Sequence, residues 1–127
     1  MKDFDTWCKK KNKIENRTIK YPKRREVWWV DLGVNIGSEQ DGVGCLYERP
    51  VLVLKTFANG TCLIAPMTRS LISNKFSYKV HYRHIESYIL LTQLRLISTK
   101  RLRRVIWRLE VDKFNVIKRL IRQKNGL

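Results

Sequence analysis

The sequence predicts an α+β protein that is mainly β: a small, strongly bent antiparallel sheet or barrel with a C-terminal helix and an added N-terminal helix. Three observations predict it. Short runs rich in β-branched and aromatic residues follow one another closely through the middle of the chain. An Asn-Gly pair between two such runs marks a tight hairpin. Both ends of the chain instead show apolar residues at helical spacing.

The N-terminal helix follows from Phe4, Trp7 and Ile14, which share one stripe with Lys11. We expect about four turns, ending before Pro22, because proline disfavours helix at the residue before it. The basic residues 17–25 then form a connector. Residues 1–24 are therefore interpreted as an accessory segment, and residues 25–127 as the barrel domain; at this length the chain can build one core.

The strands are predicted from apolar runs and alternation, at residues 26–32, 51–56, 61–67, 76–82, 88–91 and 105–109. Asn59-Gly60 can supply positive φ at both central positions of a type I′ turn, so the strands on either side should pair antiparallel. Ser98 can cap a brief helical turn over residues 99–102.

The C-terminal helix is predicted over residues 112–124. Phe114, Ile117, Leu120 and Ile121 share a face, Asp112 can cap the start and Gly126 can end it.

The charge is strongly basic at both ends of the chain. The formal net charge is +16, with ten Lys or Arg and three Asp or Glu in residues 1–25, seven and six in residues 26–97, and ten and two in residues 98–127. Basic side chains on solvent faces can serve solubility alone. A surplus of this size nevertheless favours an anionic partner, either RNA or an acidic protein.

Several other classes of site are not indicated. The charged N-terminal residues are unlike a secretory signal, and no apolar run approaches the ~20 residues of a membrane span, so we expect a cytoplasmic protein without a membrane partner. Cys8, Cys45 and Cys62 are odd in number and form no Cys-x-x-Cys pair, so reduced thiols are expected. His81 and His84 should point differently, and no third ligand has suitable spacing; neither a metal nor a cofactor is expected.

Four segments carry the functional signal, and they span roughly residues 25 to 122. They are Val27-Trp28-Trp29-Val30-Asp31-Leu32; Gly37-Ser38-Glu39-Gln40 followed by Arg49-Pro50 and the run Val51-Leu52-Val53-Leu54; Ala65-Pro66-Met67-Thr68; and Gln93-Leu94-Arg95 after Ile89-Leu90-Leu91-Thr92. On these segments the sequence resembles the MazF/PemK family of toxin endoribonucleases. The resemblance implies an SH3-like (CcdB/MazF-like) barrel, and a homodimer whose RNA groove uses both subunits.

The resemblance also implies a reaction and two catalytic residues. RNA can be cut without a metal when its own 2′-hydroxyl attacks in line, leaving a 2′,3′-cyclic phosphate and a 5′-hydroxyl, so the protein need only position and stabilise. Arg49 matches the family's cleavage arginine, and a guanidinium at the rigid rim where a loop meets a strand can neutralise the phosphorane. Thr68 matches the family threonine, whose hydroxyl can donate to a phosphate oxygen. Purely structural roles are the alternatives: Arg49 could form an ion pair with Glu48 or Glu39, and the Thr68 hydroxyl could hydrogen-bond to its own backbone.

Other residues of the segment that leads to Arg49 could support the site. Glu39 and Gln40 could contact a base edge or fix Arg49. Glu39 is the motif carboxylate left for the general base, because the Arg and Asp that the Kid-like branch places before the glutamine are replaced here by Leu90 and Thr92. Tyr47, in the long segment 41–48, could stack on an unpaired base or pack on the barrel.

Gln93 and Arg95 match the family's Gln-x-Arg, which lies near the groove or the dimer seam. The implied partners are single-stranded RNA and an acidic antitoxin whose disordered tail folds over the groove. Two alternatives stay open: a non-catalytic toxin of CcdB type that grips a topoisomerase, and an RNA-binding barrel that never cuts.

Overall fold

A computed structural model describes residues 3–33, 48–69 and 76–127. Within these ranges, two helices flank seven strands. The helices are α1 (Phe4–Glu15) and α2 (Val111–Lys124). The strands are β1 (Glu26–Asp31), β2 (Glu48–Phe57), β3 (Thr61–Thr68), β4 (Ser77–Tyr82), β5 (Ile85–Leu90), β6 (Arg95–Ser98) and β7 (Leu102–Arg108). A 3₁₀ turn, Thr99–Arg101, joins β6 to β7.

Six of the strands form an antiparallel sheet in the order β4-β5-β3-β2-β1-β7. The seventh, β6, pairs antiparallel with residues 61–64 of β3. The sheet curls into a partial barrel, as the sequence predicted. Alternate residues of β2 enter different clusters of buried side chains: Val51 and Val53 enter one, and Leu52 and Leu54 enter the other. The second cluster also contains Phe114, so α2 covers that face of the sheet.

The hairpin between β2 and β3 is confirmed, but its predicted turn type is wrong. Gly60 has φ +80°, whereas Asn59 does not take a positive φ, so the type I′ geometry is absent. The loop has three residues, 58–60, and a three-residue hairpin needs a left-handed residue only at its end. Gly60 fills that position, and its carbonyl accepts a hydrogen bond from the Thr99 amide at 2.9 Å.

Several boundaries differ from the predictions. β2 begins at Glu48, so Arg49 lies inside the strand and not at the end of a loop. β6 was not predicted, because four residues are too few to show an alternation. The expected stripe of α1 buries Trp7 and Ile14 but leaves Phe4 exposed.

Of the predicted caps, one is wrong and two are confirmed. Asp112 is not the N-cap of α2; Glu110 holds that position without a side-chain hydrogen bond. At the other end, Gly126 takes φ +72° just beyond the helix, as predicted. Ser98 caps the 3₁₀ turn by accepting from the Lys100 amide at 3.2 Å.

Helix α1 packs on the barrel where β1 ends. Its Trp7 lies against Gly33, where φ is +80° and an added Cβ would sit 2.1 Å from the indole ring. Glycine is therefore required there on two grounds, the left-handed backbone and the close approach of the ring. The end of β1 and the helix that precedes it in the chain thus form one packed unit.

Candidate functional site

The candidate site begins with Arg49 on β2. Arg49 pairs with Val30 of β1 in the antiparallel ladder, and its side chain is half-buried. Its Nη1 donates to the backbone carbonyl of Met67 at 3.1 Å. This hydrogen bond ties the Arg49 side chain to β3, the strand that ends at Thr68.

Thr68 lies on the same face of the sheet as Arg49. The β2–β3 ladder ends with Val51 opposite Pro66, and Arg49 and Thr68 lie two residues farther along their strands, on the face of that pair. Arg49 also contacts the residue before Thr68, through the Met67 carbonyl. The fold therefore brings the two residues predicted to be catalytic to one face of neighbouring strands. Thr68 is only 6% exposed and also pairs with Tyr88 of β5.

Arg95 lies on the same face of the sheet, farther along β3. It begins β6 opposite Ile64. Ile64 and Thr68 are four residues apart on one strand, so Arg95 is displaced from the Arg49–Thr68 pair by about 13 Å, at 3.3 Å per residue. Gln93 precedes β6 by two residues.

Both Gln93 and Arg95 carry a buried polar atom that no described residue satisfies. These atoms are Oε1 of Gln93 and Nη1 of Arg95. A buried donor or acceptor without a partner costs about 1–3 kcal/mol. Such groups are suited to a ligand that supplies the missing partner.

Three predicted site residues, Glu39, Gln40 and Tyr47, lie outside the described residues, as does Cys45. The described residues on either side of this segment are Gly33 and Glu48.

A cluster of ion pairs lies on the other face of β1 and β2. Asp31 pairs with Glu48 in the ladder, one residue beyond the Val30–Arg49 pair, and neighbouring residues of a strand point to opposite faces. Asp31 is 0% exposed, and its carboxylate contacts Lys10 Nζ at 2.7 Å, Arg17 Nη1 at 2.5 Å and Arg103 Nη1 at 3.5 Å. Arg103 Nε lies 2.7 Å from Glu48 Oε1, an ion pair without hydrogen-bond alignment.

We call Asp31, Lys10, Arg17, Arg103 and Glu48 the Asp31 network. Sequence reasoning missed it. The available signal was an aspartate within a strand of bulky apolar residues, where a carboxylate is tolerated only with buried partners. Because its two carboxylates face away from Arg49, neither Asp31 nor Glu48 is positioned as the general base.

The surroundings of His81 and Cys62 indicate structural roles. His81 Nε2 lies 3.1 Å from Glu86 Oε1 on the exposed β4–β5 hairpin. The hydrogen bonds from His81 and then Lys79 lower the pKa of Glu86. Burial raises the pKa of the Cys62 thiol to about 11, which suits a packing role and not a nucleophile. In the described ranges, no three His, Cys, Asp or Glu side chains cluster as a metal site.

None of the described helices is long and apolar enough to cross a membrane.

Comparison with known proteins gives one family and a consistent fold. Residues 23–124 match the sequence profile of a family described as PemK-like, MazF-like toxins of type II toxin–antitoxin systems. Among curated proteins, none matches the sequence significantly.

Solved structures with the same fold include MazF from Deinococcus radiodurans, with 19% identity and a TM-score of 0.70, covering 85% of this chain and 100% of that one. An endoribonuclease from a mycobacterial species, in complex with its cognate antitoxin, is 14% identical with a TM-score of 0.65, covering 84% of this chain and 97% of that one. The Mycobacterium tuberculosis toxin MazF-mt6 is 17% identical with a TM-score of 0.62, covering 81% and 98%.

Proposed function

Because the chain belongs to the family of PemK-like, MazF-like toxins of type II toxin–antitoxin systems, we propose that it is a toxin endoribonuclease. It cuts single-stranded RNA, such as messenger RNA, through attack of the RNA's own 2′-hydroxyl. The products carry a 2′,3′-cyclic phosphate and a 5′-hydroxyl. The observation that best supports this function is the convergence of Arg49 and Thr68 on one face of the sheet, with Arg49 anchored to the Met67 carbonyl.

Arg49 stabilises the phosphorane in this proposal. A guanidinium offers five N–H donors in a planar fork and stays charged, so an anchor through Nη1 is compatible with contact to a phosphate. A cation held before the reaction begins needs no reorganisation as negative charge develops. The Thr68 hydroxyl donates to a second phosphate oxygen without adding charge.

Gln93 and Arg95 bind RNA beyond the scissile phosphate. The displacement of Arg95 from Thr68 along β3, about 13 Å by strand rise, suits a neighbouring nucleotide. The buried Oε1 and Nη1 atoms without described partners would accept from and donate to that nucleotide. Glu39 remains our candidate for the general base, Gln40 for a base-edge contact and Tyr47 for a stacking platform.

The protein acts in the cytoplasm as a homodimer and is neutralised by an acidic antitoxin. The net charge of +16 favours such a partner electrostatically. The solved structures of the same fold include an endoribonuclease with its cognate antitoxin and a MazE–MazF complex.

The test is incubation of a long RNA with the protein in excess EDTA, beside Arg49→Ala. Arg119→Ala is the matched control, since it removes the same charge from an exposed position on α2. Wild type and the control should give cyclic-phosphate and 5′-hydroxyl ends, and Arg49→Ala should give about 10²- to 10³-fold less product.

Three results would contradict the proposal in different ways. Intact RNA with tight, salt-sensitive retention would indicate the non-cleaving binder. Intact RNA with inhibited supercoiling would indicate a CcdB-type toxin. Cleavage that EDTA abolishes would refute the metal-independent reaction.

A further inference from the structure

We propose that the N-terminal helix α1 positions Arg49 for catalysis by fixing the paired ends of β1 and β2 through the Asp31 network. This inference rests on the proposed function. The residues involved are positioning residues, since none of them lies on the Arg49–Thr68 face. Helix α1 precedes the family match, which begins at residue 23, so Lys10 and Arg17 lie outside the matched region, while Asp31, Glu48 and Arg103 lie within it.

The first step is the connection from α1 to β1. Lys10 lies within α1, and Arg17 follows the helix by two residues. Their cationic groups contact different oxygens of Asp31, Lys10 at Oδ1 and Arg17 at Oδ2. A carboxylate held on both oxygens can neither rotate nor withdraw, so the end of β1 is tied to the helix.

The second step is the connection from β1 to β2. Arg103 reaches Asp31 through Nη1 and Glu48 through Nε, so one guanidinium spans the two strand ends. Glu48 immediately precedes Arg49, and Val30, the ladder partner of Arg49, immediately precedes Asp31. A shift of the Asp31–Glu48 pair therefore moves the backbone of Arg49 directly.

A third contact supports the same end of β1. Arg101 Nη1 donates to the Asp31 backbone carbonyl at 3.2 Å, and its guanidinium lies 5.7 Å from the centre of the Trp7 ring. Burial, followed by repulsion from Arg95, lowers the pKa of Arg101, and the charge of Asp31 opposes that shift. Trp7 itself packs on Gly33. Side chains of α1 thus hold both the carboxylate of Asp31 and the backbone that follows it.

Burial makes this connection stiff. Asp31 is 0% exposed, so its carboxylate cannot replace a lost cation with water. Without Lys10 and Arg17 its described ionic partner would be Arg103, at 3.5 Å, and the strand end would have to move to resolvate the charge. A displacement of about 1 Å at a catalytic group can cost about 100-fold in rate.

The test compares two double variants that each remove two positive charges from the same segment. Lys10→Met with Arg17→Met breaks the network. Lys9→Met with Lys13→Met changes exposed residues of α1 and leaves the network intact. In single-stranded RNA cleavage, we expect the first pair to lower kcat by about 10- to 100-fold with little change in KM, and the second pair to leave kcat unchanged.

Two outcomes would overturn the proposal. If both pairs raise KM equally and leave kcat alone, α1 contributes only charge to RNA binding. If kcat survives the loss of Lys10 and Arg17, α1 does not position Arg49. The conservative variant Lys10→Arg, which keeps the charge, should retain kcat.

Folding and function are separated by two further measurements. Adding Asp31→Asn to the first pair removes the poorly paired carboxylate but does not restore the ties from Lys10 and Arg17 to β1. We therefore expect this triple variant to regain stability while its kcat stays reduced, because the end of β1 is still not held by α1. Hydrogen exchange needs no activity. The amides of residues 28–31, 48, 49 and 51 should exchange about tenfold faster in the first pair, relative to the amides of the β4–β5 hairpin, and should be unchanged in the second pair. If wild type leaves RNA intact, the proposed function fails, and unchanged exchange at residues 48–51 would separately refute positioning.

Discussion

The buried carboxylate of Asp31 predicts an unusual order of stabilities among variants of its network. Lys10→Met with Arg17→Met should lose about 3–5 kcal/mol in the free energy of unfolding, because the buried Asp31 carboxylate loses its two short ion pairs and keeps Arg103, at 3.5 Å, as its described ionic partner. Asp31→Asn alone should cost less, since the side chains of Lys10 and Arg17 are 16% and 26% exposed and can turn to water, while Asp31 at 0% cannot.

Combining the three substitutions should recover most of the loss. Replacing a whole buried ionic group with neutral side chains is often neutral or even stabilising. We therefore expect the triple variant to unfold within about 1 kcal/mol of Asp31→Asn, despite two more substitutions. For a chain of this length, 3–5 kcal/mol corresponds to roughly 10 to 20 °C in Tm.

Urea denaturation and calorimetry of the wild type, the double variant, Asp31→Asn and the triple variant measure this order of stabilities directly. Glu86→Gln is the control: Glu86 is an exposed carboxylate in surface ion pairs, so its replacement should change the free energy of unfolding far less than breaking the Asp31 network. Additive losses in the free energy of unfolding, with the triple variant less stable than Lys10→Met with Arg17→Met, would refute the reasoning. The buried charge of Asp31 would then not be the cause of the double variant's instability.

Three other predictions concern the site, the backbone and the thiols. Thr68→Val should lower RNA cleavage by about tenfold or more while Thr68→Ser keeps it; equal activity of the two would show that the hydroxyl has no part. Gly33→Ala should destabilise the protein far more than Gly126→Ala, for which we expect a loss of about 1–2 kcal/mol. Both glycines have positive φ, but only at Gly33 would the added Cβ meet an indole ring. Equal losses in thermal unfolding would contradict that packing. Alkylation at pH 8 followed by mass spectrometry should modify the exposed Cys8 and spare Cys62, whose pKa of about 11 keeps it protonated; rapid labelling of Cys62 in the folded protein would contradict its burial.

Local patterns predicted most of the secondary structure. The helical spacing of apolar residues located α1 and α2, and the Asn-Gly pair located the β2–β3 hairpin. The start of β2 was missed because Glu48 and Arg49 are polar, and a polar residue in a strand shows no apolar alternation. Their place in the strand depends on β1, with which they pair.

The candidate site was partly predictable. Arg49 and Thr68 were chosen from motifs, and the hydrogen bond from Arg49 to the Met67 carbonyl then placed Arg49 next to the end of β3, where Thr68 lies. The Asp31 network could not be assembled from the sequence, because its members come from α1, the segment after it, β1, β2 and β7. Which cations among twenty-seven Lys and Arg approach a given carboxylate is decided by packing.

The sequence by itself determined the fold class, the helices at each end, the basic charge and the two residues of the proposed reaction, since each depends on local pattern, composition or motif. Only the tertiary structure decided that α1 lies at the end of β1 and that Asp31 is buried among three cations. The physical reason is that burial and ion pairing arise between segments far apart in the chain, whose separation no local pattern records.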